Sequence, residues 1–577
     1  MDVHRRLTAS SRNGQVDISL SQHKVHVYVS TDFCLQTKAR YPDHALDRSS
    51  SQCNTPRIAN MDIFSSTRHP TPDIVPSGYT PTPPTWIVLS LIVVILTTRL
   101  ITSITSSSTR KTSPRNGPQA VPGVPYSLPY LGHLPSMAWD STNFIRSMTF
   151  QHTGGIFALH LFGKKHNIVS SSRLTAALLS QSSSNVSYEP IHRKLLINVF
   201  GMPPSASARK IWEPALPDIS ACYKNLLTDP SLPEMINQTV KTLRQNIGTL
   251  VSGAESPVDQ QLWERSSNIS TTKDPQGEEV VEASLFPLIR DFVARTTTAT
   301  LMGSTFTENF EGLWDDLWML DHSYWLLALG LPRWIPVPGL MKAHITRKRL
   351  LEMMEQFHEA LEREAKGEDV GQEWSGLEDV STLVKERVKV YRKYGMNSRQ
   401  RAACELGMVW QANANTGSLV FWILNHIYAD RDLLTKVREE IKPFVLAVQP
   451  KQEFAFPEPS RVEKMDVERL CRQCPLLESC YVESLRLDSA SWSLREVKQD
   501  FVLKSEEKEA RGWQLRKGEY VHAAHDLHST DAKCFGDPMV WKADRHIRNK
   551  YGEKQDTTDM GSLRPYGELP SPDSHKL

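Results

Sequence analysis

The chain has 577 residues and a mass of 65.4 kDa, with 67 lysines and arginines against 65 aspartates and glutamates. This near balance gives no electrostatic reason to expect nucleic acid as a partner. Eight cysteines are scattered without the spacing of a disulfide framework, which is typical of a reducing compartment. The length is sufficient to bury a large core.

Residues 1 to 84 are polar, mixed in charge and without a sustained hydrophobic period. Such a composition predicts a disordered N-terminal extension. Met61 begins a shorter leader to the apolar run that follows it. We therefore hypothesise that Met61 is the natural start.

The run TWIVLSLIVVILTTRLITSI, residues 85 to 104, is predicted to be a transmembrane anchor. It carries one charge, Arg99, and has about the 20 residues that a helix needs to cross a bilayer. Trp86 lies at its edge, where indoles favour the membrane interface. Basic residues follow it, which predicts a cytosolic body and a lumenal N-terminus. A buried core helix or a cleaved signal is the alternative.

Residues 105 to 134 are predicted to be a stiff, extended linker, because prolines between 118 and 129 remove amide donors and fix φ. From residue 135 to 577 the apolar spacing is mainly helical, with strand-like pieces appearing late, as in WQLRKGEYVHAA. Three glycosylation sequons follow the anchor, at Asn185, Asn237 and Asn268. The predicted topology keeps them in the cytosol and unglycosylated.

A polar patch interrupts a long apolar helix predicted over residues 407 to 430. The patch runs from Ala412 to Gly417 and contains Asn413, Asn415 and Thr416. These residue types are poor inside a helix, and threonine can bond back to a carbonyl and loosen the turn. The pattern predicts a notch in the helix, although a simple bend would give the same sequence.

Glu483 and Arg486 are three residues apart, so they share one face of a predicted helix. Apolar neighbours on both sides favour a buried, structural ion pair over an exposed one. Arg495 follows nine residues later and precedes a predicted strand. Farther along, Arg545 is placed to add a second buried cation beside Glu483.

Two groups of residues resemble metal ligands, and neither has the expected arrangement. CRQC at 471 to 474 has no second pair at zinc spacing, so we interpret its cysteines as thiols around a helix start. His522, His525 and His528 are spaced by three. On a predicted strand leading into a loop they would not share a face, which argues against a metal cluster.

Taken in chain order, these segments resemble a cytochrome P450. The Pro-rich connector, the notch, the E-x-x-R pair, the region from FGDP to WKADR and LRPYG appear in family order over roughly residues 85 to 567. NANT followed by Phe421-Trp422 is similar to the branch with sterol 7α-hydroxylases and prostacyclin synthase, including fungal relatives. The resemblance implies a mainly α fold with a minor β-sheet, behind a single N-terminal transmembrane helix.

The resemblance also implies roles for individual residues. Thr416 would lie over the distal heme face and help deliver protons to dioxygen, with Asn415 orienting that hydroxyl or a water. Arg495 would face a heme propionate. A buried triad of Glu483, Arg486 and Arg545 would stabilise the fold.

The heme ligand of this family is a cysteine in the pattern F-x-x-G-x-x-x-C. Aligned on Tyr566, the glycine position holds Leu569 and the cysteine position holds Asp573. No cysteine follows Cys534, so the ligand cysteine is not present and no metal ligand is assigned. We expect a C-terminally truncated catalytic domain, through a gene-model error, a damaged gene or a change of role.

The implied function is a heme-thiolate monooxygenase of the endoplasmic reticulum membrane. It would oxidise a small apolar, terpenoid- or steroid-like metabolite with dioxygen and an NADPH-dependent reductase, in secondary metabolism. Residues 321 to 334 are an apolar segment that fits such a substrate. The alternatives are a redox-neutral isomerase of an oxygenated substrate and an inactive, heme-free remnant.

Overall fold

The computed structural model describes residues 11–12, 15–20, 23–28, 85–112, 117–223, 231–275, 277, 279–450, 459–489, 492–505, 512–532 and 534–547. The chain is mainly α-helical with small sheets, as the sequence predicts. It divides into two units. The larger comprises Met1–Thr31, Leu178–Gln499 and Val521–Leu577, and the smaller comprises Asp32–Ala177 and Asp500–Tyr520.

The described helices are α1 (Thr85–Thr112), α2 (Leu134–Gln151), α3 (Ser172–Leu179), α4 (Glu189–Asn198), α5 (Ala206–Trp212), α6 (Leu216–Cys222), α7 (Ser231–Asn246), α8 (Leu285–Met302), α9 (Ser304–Asn309), α10 (Leu313–His322), α11 (Tyr324–Ala328), α12 (Leu340–Lys366), α13 (Thr382–Lys393), α14 (Ser398–Asn413), α15 (Thr416–Ala429), α16 (Arg431–Ile441), α17 (Val467–Gln473), α18 (Pro475–Asp488) and α19 (His525–Ser529). Short 3₁₀ turns cover Ile247–Thr249, Gln372–Trp374 and Leu377–Asp379.

The described strands are β1 (Ser11–Arg12), β2 (Gln15–Leu20), β3 (His23–Tyr28), β4 (Gln119–Ala120), β5 (Ile156–Leu161), β6 (Lys164–Val169), β7 (Val186–Ser187), β8 (Ser270–Lys273), β9 (Glu279–Ser284), β10 (Val445–Val448), β11 (Arg461–Met465), β12 (Trp492–Val497), β13 (Phe501–Leu503), β14 (Trp513–Leu515) and β15 (Tyr520–Ala524). The late strand-like sequence is thus found as β14 and β15.

The smaller unit contains the apolar helix and the proline-rich segment. Within α1, Trp86–Ser106 has a mean hydropathy of 2.3 and is long and apolar enough to cross a membrane. The Thr102 hydroxyl donates to the Tyr126 carbonyl at 2.9 Å, so the segment after the helix folds back along it. In the same unit β5 and β6 form an antiparallel hairpin, and β14 pairs with β13 and β4.

The linker begins later than the predicted boundary at residue 105. Helix α1 continues to Thr112, which makes the first eight residues of that predicted linker helical. The Thr105 hydroxyl donates to the Ile101 carbonyl, four residues back, at 3.0 Å. The prolines on which the prediction of an extended connector rests lie later, between residues 118 and 129.

Strands β1, β2 and β3 fall inside the stretch that the sequence predicts as disordered. β2 and β3 form an antiparallel hairpin, and β3 pairs in parallel with β9 of the larger unit's sheet. The alternation of Val16, Ile18 and Leu20 is the strand period that the segment-wide average hides. Met61 lies outside the described residues.

The core of the larger unit is a helical layer built around α12, α13 and α14. Leu350, Met354 and Phe357 follow one face of α12 and are fully buried, as helical spacing requires. Helix α8 crosses both α14 and α15, and β12 pairs with β7 beside β15. The helical apolar spacing of residues 282 to 303 and 349 to 364 corresponds to α8 and α12.

Candidate functional site

The helix predicted over residues 407 to 430 is two helices with a break between them. The Ala414 amide still bonds to the Trp410 carbonyl, and the Leu419 amide bonds to the Asn415 carbonyl. Among the described residues the Asn415 amide has no backbone acceptor. The helical hydrogen-bond ladder is therefore interrupted at the junction of α14 and α15, where the sequence has its polar patch.

The break lies beside an open face of the helix pair. Gln411, Asn415 and Thr416 are exposed, whereas Asn413 and Gly417 are buried. Gln411 and Asn415 share a face because they are four positions apart, and Thr416 is adjacent to Asn415. We call these three exposed residues the open face of α14 and α15.

The Thr416 hydroxyl donates to the Ala412 carbonyl at 3.0 Å. This acceptor belongs to the backbone of the preceding turn, and the role of Asn415 in orienting the hydroxyl or a water stays a prediction. The oxygen of Thr416 keeps its acceptor capacity, and the Asn415 amide is exposed beside it.

The apolar segment over residues 321 to 334 meets α14 through one aromatic contact. The Tyr324 ring stacks on Trp410 with centroids 4.6 Å apart. The Trp410 indole donates to Asp321 at 2.8 Å, and burial raises the pKa of that carboxyl. By contrast, Trp325 and Trp334 are each 77% exposed, so neither tryptophan of the segment lines the interior.

Glu483 lies at the centre of a buried ion cluster. Arg486 makes two hydrogen bonds to its carboxylate, both at 2.8 Å, and Arg545 makes one at 2.9 Å. His546 is a fourth member, 3.0 Å from the other carboxylate oxygen, which the sequence did not identify. Its position directly after Arg545 in the sequence gave no signal of this role.

The cluster holds the loop after α19 against α18. Arg486 also donates to the carbonyls of Ser529 and Pro538, each at 2.7 Å, and Arg545 donates to Gly536 and Val540. Burial alone would raise the pKa of Glu483, but hydrogen bonds and charge from its cationic partners lower it well below its usual range. The carboxylate is therefore charged at neutral pH.

Helix α15 is joined to the cluster's elements by a second contact. His426 lies 3.1 Å from the Asp488 carboxylate and stacks on the Trp541 ring at 4.4 Å between centroids. The Trp541 indole in turn donates to Ser484 at 3.0 Å. The helix with the open face is thus fixed relative to α18 and the following loop.

Arg495 lies on β12 and is half-buried. Its guanidinium donates to the Leu494 carbonyl at 3.1 Å and lies 5.7 Å from the Tyr188 ring centre. Within the described part of the chain no carboxylate pairs with it. A half-buried guanidinium with unused donors fits the carboxylate of a ligand such as a heme propionate.

His525 and His528 differ from their predicted placement. Both lie on α19, with ring centroids 5.4 Å apart, and only His522 is on a strand. Strand β15 ends at Ala524 because a short helix starts at His525. No group of metal ligands is formed within the described residues, and burial lowers the pKa of His528 to about 4.

The described cysteines do not provide an evident thiolate. Burial raises the pKa of Cys404 and Cys480 to about 12, so both are neutral thiols in the core. Cys471 lies in α17 and Cys474 precedes α18, around a helix start as predicted. Positions Leu569 and Asp573 lie outside the described residues. The Arg495 guanidinium has donors that suit a heme propionate, and the position aligned with the ligand cysteine, Asp573, lies outside the described residues.

No protein-family model matches the chain. Among curated proteins, cytochrome P450 7B1 of Mus musculus is 24% identical over 484 residues, covering 82% of each chain. Cytochrome P450 monooxygenase poxD of Penicillium oxalicum is 23% identical, covering 77% of this chain and 80% of its own. Among solved structures, retinoic acid bound cyanobacterial CYP120A1 is 16% identical with a TM-score of 0.47, covering 74% of this chain and 82% of that chain.

The sequence matches cover 77 to 82% of the chain rather than one short motif. The matched proteins include mammalian sterol hydroxylases and fungal monooxygenases, and they support by resemblance the assignment of the chain as an enzyme. The chain therefore resembles cytochrome P450s along about four fifths of its length.

Proposed function

We propose that the protein is a monooxygenase that inserts one oxygen atom from dioxygen into an apolar, steroid- or terpenoid-like metabolite. The observation that carries the proposal is the broken helix with Asn415 and Thr416 on its open face. Named relatives act on substrates of this kind, such as 25-hydroxycholesterol 7-alpha-hydroxylase of Rattus norvegicus, which is 26% identical over 287 residues.

Heme bound through a cysteine thiolate would supply oxygen activation. Arg495 would bind a propionate, and the open face of α14 and α15 would lie along the distal side. Thr416 would hold a proton-bearing water through its hydroxyl oxygen, and Asn415 would orient it, since an amide is not itself an acid near neutral pH. The sulfur ligand would come from outside the described residues.

The protein is proposed to act on the cytosolic side of the endoplasmic reticulum membrane. The apolar helix Trp86–Ser106 would anchor it, and an NADPH-dependent reductase would supply electrons. An apolar substrate would enter from the bilayer in which it is concentrated.

The thiolate ligand is the most direct test. We expect the natural transcript, read across the codon for Gly567, to encode a cysteine in place of Asp573 or close to it. The protein it encodes should bind heme and give a thiolate-type Soret band when reduced under carbon monoxide. No cysteine in any transcript, together with no heme in the purified protein, would overturn the proposal.

A requirement for electrons from a reductase distinguishes the proposed monooxygenase from the redox-neutral isomerase. With a sterol or terpenoid that shifts the heme spectrum, product should form only with reductase and NADPH. Thr416→Ala should retain the substrate-induced spectral shift and lower product formed per NADPH by about 10- to 100-fold, the range of a lost proton-delivery group. Turnover of an oxygenated substrate without NADPH would favour the isomerase.

A further inference from the structure

Asn413, the last residue of α14, is fixed by two hydrogen bonds on the side of the helix that faces α8. Its side-chain amide donates to the Thr298 hydroxyl oxygen and to the Val409 carbonyl, each at 2.9 Å. A carbonyl can only accept, so the contact with Val409 determines which end of the amide is nitrogen. The other end, Oδ1, is buried and accepts no hydrogen bond from the described residues.

Thr298 has the complementary gap in hydrogen bonding, because it lacks an acceptor rather than a donor among the described residues. Its side chain is fully buried and accepts the bond from Asn413, but its own hydroxyl proton reaches no acceptor in the described part of the chain. The neighbouring Thr296 and Thr300 instead donate to carbonyls of their own helix, both at 2.9 Å. One junction therefore leaves both an acceptor and a donor without a partner.

Leaving a buried polar atom unpaired costs about 1 to 3 kcal/mol, so such atoms are nearly always paired. A single water can donate to one atom and accept from the other, which is the usual role of buried water in proteins. Asn413 lies two residues before Asn415 and three before Thr416. Fixing the end of α14 thus also fixes the residues of the helix break.

We propose that Asn413 and Thr298 bind one buried water and act as positioning residues for Asn415 and Thr416. The water completes the bonds between α8 and α14, and the completed pair holds residues 414 and 415 in place where α14 and α15 meet. The consequence for catalysis rests on the proposed monooxygenase function. The water site and the rigidity of the break do not.

The test compares hydrogen exchange in three variants of the full chain in detergent, read by mass spectrometry over residues 411 to 419. Thr298→Val removes the hydroxyl at almost constant volume, and Thr298→Ser restores it. Thr296→Val is the matched control, since it removes an equally buried threonine hydroxyl that bonds only to its own helix. We expect exchange to rise about fivefold in Thr298→Val, the effect of one hydrogen bond worth about 1 kcal/mol, and to stay at the wild-type rate in the other two.

Equal exchange in Thr298→Val and Thr296→Val would overturn the proposal, whether or not the protein is a monooxygenase. So would a crystal structure that shows no water between Asn413 and Thr298. In a heme-loaded, active protein, Thr298→Val should also divert reducing equivalents from product to hydrogen peroxide, and Thr298→Ser should rescue the yield. If the wild-type protein is inactive but shows the expected exchange pattern, the proposed function is contradicted and the water site is still supported.

Discussion

At the residue scale, Glu483 is the most constrained side chain that the structure describes. Its carboxylate is fully buried and meets Arg486, Arg545 and His546 within 3.0 Å. Arg486 and Arg545 also donate hydrogen bonds to backbone carbonyls of the loop after α19. Removing the charge would leave two buried guanidinium groups without an anion, which is costlier than losing an exposed pair.

We expect Glu483→Gln to lower the free energy of unfolding by about 3 to 5 kcal/mol, because it breaks a buried ion cluster on one side only. Chemical denaturation of the purified protein measures the change. Glu468→Gln is the matched control, since Glu468 pairs with Arg472 on the surface of α17 with both side chains more than 70% exposed. The control should cost less than about 1 kcal/mol. Equal costs would contradict the assigned role.

The same carboxylate makes stability depend on acid. The folded-state pKa of Glu483 is lowered from its ordinary value of 4.5, so its contribution is complete above that value and is lost as the pH falls toward the folded pKa. Wild-type protein should therefore lose stability below about pH 4.5 more steeply than Glu483→Gln does. Thermal unfolding measured from pH 7 to pH 3 checks the slope, and parallel curves would exclude Glu483 as a source.

At the element scale, α8 and α15 approach closely at one glycine. A Cβ added at Gly417 would lie 3.0 Å from the Arg290 Cα, and backbone cannot move aside as a flexible side chain can. Gly407 on α14 is different, since its added Cβ would meet the Phe200 ring at an ordinary 3.6 Å. The two glycines make a matched pair on the two halves of the broken helix.

We expect Gly417→Ala to destabilise the protein by about 1 to 3 kcal/mol through overpacking of α8 against α15. Gly407→Ala should be neutral or stabilise by up to about 1 kcal/mol, because alanine is the better helix former and has room. Thermal unfolding of both variants gives the comparison. A Gly417→Ala variant as stable as Gly407→Ala would show that the helices separate without cost.

At the scale of the whole molecule, a membrane-spanning position of Trp86–Ser106 is incompatible with the pairing of β3 and β9. A helix that crosses the membrane once puts residues before 85 and after 106 on opposite sides. The parallel pairing of β3 with β9 requires Lys24 and Val280 on the same side. Both arrangements cannot hold in one molecule, so topology decides whether β3 can pair in the membrane-bound protein.

We expect the anchor to span, with the N-terminus in the lumen, because its positive flank follows the apolar run. Ser49→Asn creates a sequon at residues 49 to 51, and this variant should be glycosylated in microsomes. The native sequons at Asn185, Asn237 and Asn268 should stay unmodified and serve as the internal control. An endoglycosidase-sensitive shift in the wild type, or none in Ser49→Asn, would contradict the orientation.

Much of the candidate site was predictable from local pattern. The polar patch predicted a break, and the spacing of Glu483 and Arg486 predicted a shared face, because both depend on neighbours within one helix. Arg545 was placed beside Glu483 from the sequence, and the family resemblance also implies the triad. Helix α1 continues to Thr112, past the apolar run predicted to end at residue 104. His546 and Thr298 gave no signal, since their partners are far away in the chain.

By itself the sequence determined the helical class, the apolar anchor, the order of the P450 segments and the residues at the helix break. These follow from periodicity, composition and local hydrogen bonding, which act over a few residues. Only the tertiary structure decided which buried groups meet: His546 with Glu483, Arg290 with Gly417, and Asn413 with Thr298. Burial and pairing depend on helices brought together from distant parts of the chain, and no local pattern encodes which atom is left without a partner.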